Sequence, residues 1–358
     1  MAILWICLWE VSMSMFPQKN IDIVGIGAST LDRFIVVDHY PTGREVQQVV
    51  SSTTDGGGPV ATALAVAGKY GARTAMIDSI GDDMVGRHIL DDFEKYNVNT
   101  DAIQVECGAK SGVATILVKH STGERAVFFE CSTAREPAFL DAHKRLIDGA
   151  FILHINGRHR TLIRAAMDVA KDVGTIISLD GGAQRYDEEM KPITEDSHIV
   201  IVARDYAEKY TGTTNLEEAC CIIHNRGALI AGVTDGANGS YFVWPDGTAY
   251  RCEPFPQDSV VDTTGAGDSF HGAFLAKLSN ILHSESAKVS ESAKVSSTNA
   301  AQGDTSLCAI ELLKGCAHSD LEKTAIFASA VAALNTQGIG GRSPLPSLDQ
   351  VHKLMGLE

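Results

Sequence analysis

Short continuous apolar runs alternate with stretches of helical period along most of this chain. IDIVGIG (Ile21 to Gly27), TAMIDSIG, FILHI (Phe151 to Ile155), TIISLD (Thr175 to Asp180), HIVIV (His198 to Val202) and ALIAGV (Ala228 to Val233) read as strands buried on both faces. VATALAVAGKYG (Val60 to Gly71) reads as a helix stopped by glycine. DDMVGRHILDDFEKYN, Thr161 to Val173, Asp205 to Thr211, Leu216 to Asn225 and Leu321 to Leu334 also carry the helical period. Repeated strand-helix alternation predicts an α/β fold: a doubly wound, mostly parallel sheet with helices on both faces.

Two regions break the alternation. Residues 33–52 and 111–130 alternate polar and apolar positions with no helix between their members, which predicts a small β-sheet standing off the main domain as a lid. SESAKV occurs twice in succession, at Ser284–Val289 and Ser290–Val295, and a polar run follows. A repeat so poor in apolar residues cannot build a core, so residues 284–306 are expected to be a disordered insert. At the other end, MAILWICLWEVSMSMF has no Lys or Arg ahead of its apolar stretch and no small-residue cleavage site. It is too short to span a bilayer. Residues 1–20 are therefore expected to be a disordered extension, and residues 21–358 one domain.

Composition narrows the function classes. The 358 residues are 44% hydrophobic and 21% charged, ordinary for a globular protein. Thirty Lys and Arg face 45 Asp and Glu, a net charge of -15. That disfavours a nucleic-acid partner, whose phosphates need a basic face, but leaves room for a small anionic ligand. The eight cysteines form no Cys-x-x-Cys and no zinc spacing with the twelve histidines, so they read as reduced thiols of a cytoplasmic protein.

Two glycine loops are candidates for chemistry. GIGAST (Gly25 to Thr30) resembles a dinucleotide fingerprint, but Thr30 stands where the third glycine belongs, and no acidic residue closes a second strand about 20 residues on. The other is VVDTTGAGDSFHGAF (Val260 to Phe274). Here the N–H groups of Gly265, Ala266 and Gly267 precede an apolar helix whose dipole favours anions. A phosphoryl group in transfer would meet those donors, with Asp268 beside the incoming hydroxyl. A carboxylate at a helix start is expected to lose basicity. Taken alone, the stretch is equally an ordinary glycine turn with an acid in the first helical turn.

DTTGAGDSFHGAF resembles the C-terminal signature of the ribokinase-like, phosphofructokinase B type carbohydrate kinases. GIGASTLDR and GGGPVATALAVAGKYGARTAMIDSIGDDMVG resemble their N-terminal motifs, in family order. The resemblance covers nearly all of Ile21 to Met355 outside the insert. It implies ATP as donor, Mg²⁺, a sugar hydroxyl as acceptor and, in many members, K⁺. It implies Asp268 as general base and Gly265, Ala266 and Gly267 as anion hole. Asp32, Gly56, Gly57 and Gly58 would bind the sugar. Thr234, Asp235, Gly236, Gly239, Ser329 and Asn335 would border the nucleotide. Asp262, Thr264, Asn335, Gly338 and Gly340 would be monovalent-cation ligands, mainly through carbonyls.

Two departures stand out. Family members carry Asn-x-x-Glu before a Thr-Gly pair, supporting Mg²⁺ and phosphate, where this chain has Ala203 and Tyr206, with Glu208 nearby. Ala61 replaces the substrate-loop asparagine. Both changes resemble the sulfofructose kinase-like branch, in which an arginine follows the strand matching FILHI. Here Asn156 and Arg158 stand in HINGRHRT, and Arg158 is equally an anion-reading residue and a solvated loop arginine. The implied function is phosphorylation of a small-molecule sugar, with a ketose or an anionic sugar as the expected acceptor. The alternative is a catalytically silent sugar or nucleotide sensor. A homodimer through the lid follows from the resemblance and from the exposed edges of a small sheet.

Overall fold

The computed structural model describes residues 19–296 and 308–357. Thirteen strands run in chain order: β1 (Ile21–Ile26), β2 (Thr30–Val37), β3 (Ser51–Gly57), β4 (Thr74–Gly81), β5 (Val98–Glu106), β6 (Gly112–Lys119), β7 (Arg125–Glu130), β8 (Ala150–Ile155), β9 (Ile176–Gly181), β10 (Ile199–Ala203), β11 (Ile230–Thr234), β12 (Ser240–Val243) and β13 (Ala249–Cys252). The helices are α1 (Pro59–Lys69), α2 (Met84–Lys95), α3 (Asp141–Asp148), α4 (Arg160–Asp172), α5 (Met190–Glu195), α6 (Arg204–Thr211), α7 (Leu216–Asn225), α8 (Ala266–Ser296), α9 (Ala309–Lys314), α10 (His318–Asn335) and α11 (Leu348–Leu354).

Nine strands form the main sheet in the order β13-β12-β11-β10-β9-β8-β1-β4-β5. All neighbours from β11 to β5 are parallel, and β12 and β13 add an antiparallel edge. Every residue of β4, β8 and β9 is buried, because helices cover both faces. One core layer joins α1, α8 and α10 through Leu64, Phe274, Leu278 and Phe327. The other joins α4, α6 and α7 through Ile163, Tyr206 and Ile223. The glycines of GIGAST serve this packing: a Cβ on Gly25 would stand 2.5 Å from Val60 Cγ1. They seat β1 on α1, which is a packing reason for glycine.

The small sheet has the order β3-β2-β6-β7. Its inner face, Phe34, Val36, Ala114, Ile116 and Val118, packs on Ile339. The lid thus closes over the C-terminal loop. Its strands sit elsewhere than the 33–52 boundary implied: residues 38–50 form no strand, and β3 runs on to Gly57. This places Gly56 and Gly57 on the lid itself, in register with Leu31 and Thr30.

Two further expectations need correction. Helix α8 continues through both repeats to Ser296, so residues 284–296 are helical. The unbranched and small residues of SESAKV tolerate a helix begun upstream, since propagation is far easier than nucleation. Residues 297–306 of that insert lie outside the described residues, as do residues 1–18 of the N-terminal extension. Lys19 and Asn20 belong to the domain: Lys19 Nζ donates to the Asp148 carbonyl at 2.7 Å, and Asn20 N to the Gly149 carbonyl at 3.0 Å. No helix among the described residues is long and apolar enough to cross a membrane.

Candidate active site

Helix α8 starts at Ala266, directly after Gly265, whose φ of +72° suits a residue without a side chain. A Cβ on Gly265 would also meet Gly341 Cα at 2.5 Å. The turn is therefore clamped against the loop after α10. Its outer side is open, for nothing lies within 4 Å of a Cβ placed on Gly267. The first N–H groups of any helix lack intrahelical partners; Ala266 N reaches back to the Thr263 carbonyl at 3.4 Å, which leaves the N–H groups of Gly265 and Gly267 as donors at the turn.

Asp268 lies in the first turn of α8. Its carboxyl is pushed up to about 6 by burial and by the Asp180 carboxylate, with Asp32 adding to the effect and Arg185 and His271 opposing it. The expectation of reduced basicity is thus reversed. The helix start favours the ionised form, but withdrawal from water and two nearby acids outweigh it. An acid poised near neutrality is a better proton acceptor than one held at the ordinary carboxylate value.

Asp32 comes from β2 and is buried. Burial pushes it up to about 6; Asp55 and Asp262 raise it further, while the Thr30 hydrogen bond and Arg342 lower it. Thr30 Oγ1 donates to Asp32 Oδ1 at 2.9 Å. The substrate-loop glycines lie against these acids. A Cβ on Gly57 would stand 2.0 Å from Asp32 Oδ1, and one on Gly56 2.1 Å from Asp92 Oδ2. Gly58 has φ +90° and faces the Ala28 carbonyl. The structure thus gathers Asp32, Gly56–Gly58 and Gly265–Asp268 around the C-terminal loop.

The remaining candidates fall into three places. Asn156 is buried just after β8, and its Oδ1 accepts from Arg158 N at 3.2 Å, while Arg158 itself is exposed. On the nucleotide side, Thr234 ends β11, and Gly236 and Gly239 take φ of +54° and +89°. Asp235 accepts from Arg204 Nη1 at 2.8 Å and Asn238 Nδ2 at 3.1 Å. A cavity of about 330 Å³ adjoins that loop, lined by Arg204, Asn215, Glu217, Asp235 and Tyr241 among others, none of them from the glycine turn. Ser329 is half-buried on α10. Asn335 is fully buried; its Nδ2 donates to the Gly341 carbonyl at 3.4 Å and its Oδ1 has no partner.

The motif departures have a structural counterpart. Tyr206 is a core side chain whose hydroxyl pairs with Thr194 Oγ1 at 2.7 Å, so it is spent on packing. Glu208 is paired with Arg204 at 2.9 Å. No group of three or more His, Cys, Asp or Glu suited to a metal occurs among the described residues.

Several residues near the turn escaped the sequence reading. Asp180, at the end of β9, faces His271 Nε2 at 3.3 Å. Burial opposes its ionisation, yet His271 and Arg185 hold it well below the usual carboxylate range. His271 could have been noticed three residues after Asp268 on the same helix face. Arg342 is buried and binds Asp92 Oδ2 at 2.5 Å, Thr62 Oγ1 at 3.2 Å and the Gly57 carbonyl at 2.9 Å. Asp55 accepts the backbone N–H groups of Arg342 and Ser343, each at 2.9 Å. Arg and Asp this far apart in sequence carry no local signal.

Residues 20–348 match the pfkB family carbohydrate kinases. The chain belongs to that family. It is accordingly a carbohydrate kinase, a phosphotransferase with an alcohol acceptor that uses ATP. The Arabidopsis thaliana protein named "Probable fructokinase-5" is 30% identical over 243 residues, 62% of this chain and 73% of that one. Mouse ketohexokinase is 25% identical over 268 residues, 72% of this chain and 89% of its own. Arabidopsis thaliana ribokinase, solved with ribose and ATP, superposes with a TM-score of 0.70 at 19% identity, covering 94% of this chain and 98% of that one. This last likeness speaks for the ribokinase-like fold.

Proposed function

We propose that this kinase phosphorylates a hydroxyl of a ketose or anionic sugar, with Asp268 as general base and the Gly265-Ala266-Gly267 amides as anion hole. The observation that carries the reading is the open glycine turn at the start of α8, with Asp268 in the first turn of that helix beside it. Asp32 and the Gly56–Gly58 loop orient the sugar. Asp268 takes the hydroxyl proton as the oxygen attacks the γ-phosphorus, the bond from that phosphorus to the bridging oxygen breaks so that ADP leaves, and the amides hold the charge on the phosphoryl oxygens in transfer.

The Thr234–Gly239 loop suits a nucleotide, because its positive-φ glycines let backbone approach closely. Ser329 and Asn335 would flank the adenine side. Mg²⁺ would arrive with ATP, held largely by phosphates and one or two carboxylates, as is usual for that ion. The fructokinase and ketohexokinase names of relatives support a ketose. Arg158, exposed beside buried Asn156, supports an anionic group on it. A homodimer through the lid is supported by Val127, Phe128 and Phe129, exposed on edge strand β7.

A panel of ketoses, aldoses, nucleosides and their phosphorylated and sulfonated forms, assayed for ADP release with Mg²⁺, tests the reading. ADP release with a ketose or its anionic derivative is expected. A silent sensor, which the loss of the Asn-x-x-Glu pair favours, would bind a member of the panel with no ADP release. That outcome would overturn the kinase mechanism.

A further inference from the structure

The family resemblance offers Asp262, Thr264, Gly338, Gly340 and Asn335 as ligands of a monovalent cation. One observation suits an ion there: Asn335 Oδ1 is a buried acceptor with no partner. The charge balance speaks against one at Asp262. That carboxylate is 2% exposed, so it needs a compensating cation. It already has one. Arg125 Nη1 lies 3.2 Å from Asp262 Oδ1 and also donates to Thr264 Oγ1. Oδ1 further accepts from Thr264 N at 2.9 Å and Thr264 Oγ1 at 2.7 Å, and Oδ2 from Gly340 N at 3.1 Å. Among the described residues Arg125 is the one cationic side chain on Asp262.

Arg125 opens β7, the outer strand of the lid. In the turn before it, Gly123 has φ +68°, and a Cβ there would stand 3.3 Å from the Val261 carbonyl. The lid hairpin therefore rests on the segment between β13 and α8 that leads into the Gly265 turn. Asp262 in turn braces both sides of that turn, through Thr264 N ahead of it and Gly340 N from the loop against which Gly265 packs. An ion at the same carboxylate would sit beside a guanidinium and be repelled by it.

We propose that Arg125 supplies the positive charge at Asp262 in place of a monovalent ion, so that closure of the lid, rather than K⁺, completes the anion-hole turn. The proposal rests on the kinase reading for its consequence, but the ionic exchange can be measured without turnover. The test is thermal melting of the full chain and of Arg125→Gln in KCl, NaCl and choline chloride at equal ionic strength. The wild-type midpoint is expected to be the same in K⁺ and choline. Arg125→Gln is expected to melt lower in choline and to gain a K⁺-specific rise of about 2–4 °C, as an ion fills the vacated charge. Arg125→Lys should behave as wild type. A K⁺-specific rise in the wild type, or none in Arg125→Gln, overturns the proposal, whatever the sugar panel shows. With a substrate in hand, wild-type turnover should be equal in the three salts. Arg125→Gln should lose about tenfold in choline and recover in K⁺. Failure of the panel alone would bear on the kinase reading and leave the melting result intact.

Discussion

Replacing Arg342 with methionine is the sharpest perturbation the packing offers. The side chain is buried, and its three nitrogens serve three different elements: Nε reaches Thr62 on α1, Nη1 reaches Asp92 on α2, and Nη2 reaches the Gly57 carbonyl on β3. The guanidinium also lies 5.1 Å from the Phe93 ring centroid. Methionine keeps most of the aliphatic volume and the backbone N–H that Asp55 accepts. What it removes is the charge. Asp92, whose side chain is 11% exposed, is then left with Lys95 at 3.3 Å, a residue 68% exposed and screened by water. Removing one partner of a buried ion pair costs about 3–5 kcal/mol, and the residual lysine contact argues for the lower end. Urea denaturation of wild type, Arg342→Met, Asp92→Leu and the double variant would measure it. The double variant removes both charges and should recover ~2 kcal/mol of the single-variant loss, since a buried pair is often replaceable by apolar groups. A loss under ~1 kcal/mol for Arg342→Met, or a double variant no better than the sum of the singles, would refute the reasoning. A second readout follows from Nη2: with Gly57 unanchored, the KM for sugar should rise more than kcat falls.

Asp268→Asn should lower turnover by roughly 10²- to 10⁴-fold while ATP binding, followed by calorimetry, stays close to wild type; wild-type-like turnover would remove Asp268 from the mechanism. The same variant should melt higher at pH 8. Asp268 has a folded pKa of about 6, above its unfolded value near 3.8, so the folded state binds more protons, and the ionised carboxylate costs stability that is lost progressively as pH rises from about 4 through 6. Asparagine escapes that cost, and equal melting at pH 8 would contradict the raised pKa. For the same reason kcat/KM of the wild type should be flat at neutral pH and fall as pH drops through about 6, with Asp32, also raised to about 6, steepening the fall. Gly56→Ala places a Cβ 2.1 Å from Asp92 Oδ2 and 2.2 Å from Arg342 Nη1, within the buried pair. It should weaken sugar binding and lower the melting temperature together, whereas Gly267→Ala, with open space around it, should change turnover far more than melting.

The local pattern determined much of this protein. Continuous apolar runs such as FILHI are buried on both faces and became the central strands, because only helices on each side can shield them. The turn before Asp268 was legible too, since Gly-Ala-Gly ahead of an apolar helix leaves few backbone options. The register of the lid was less so: alternation marks a strand but not where its partner begins, and β3 started far later than the pattern suggested. SESAKV shows the converse limit, for composition argued disorder while a helix nucleated at Ala266 carried through it. Only the tertiary structure decided the electrostatics. Asp268 is raised by its withdrawal from water and by the carboxylates of Asp180 from β9 and, to a lesser extent, Asp32 from β2. Arg342 meets Asp92 across 250 residues, and Arg125 meets Asp262 across 137. Charge interactions act through space and strengthen where water is excluded, and neither distance nor dryness is written in residue order.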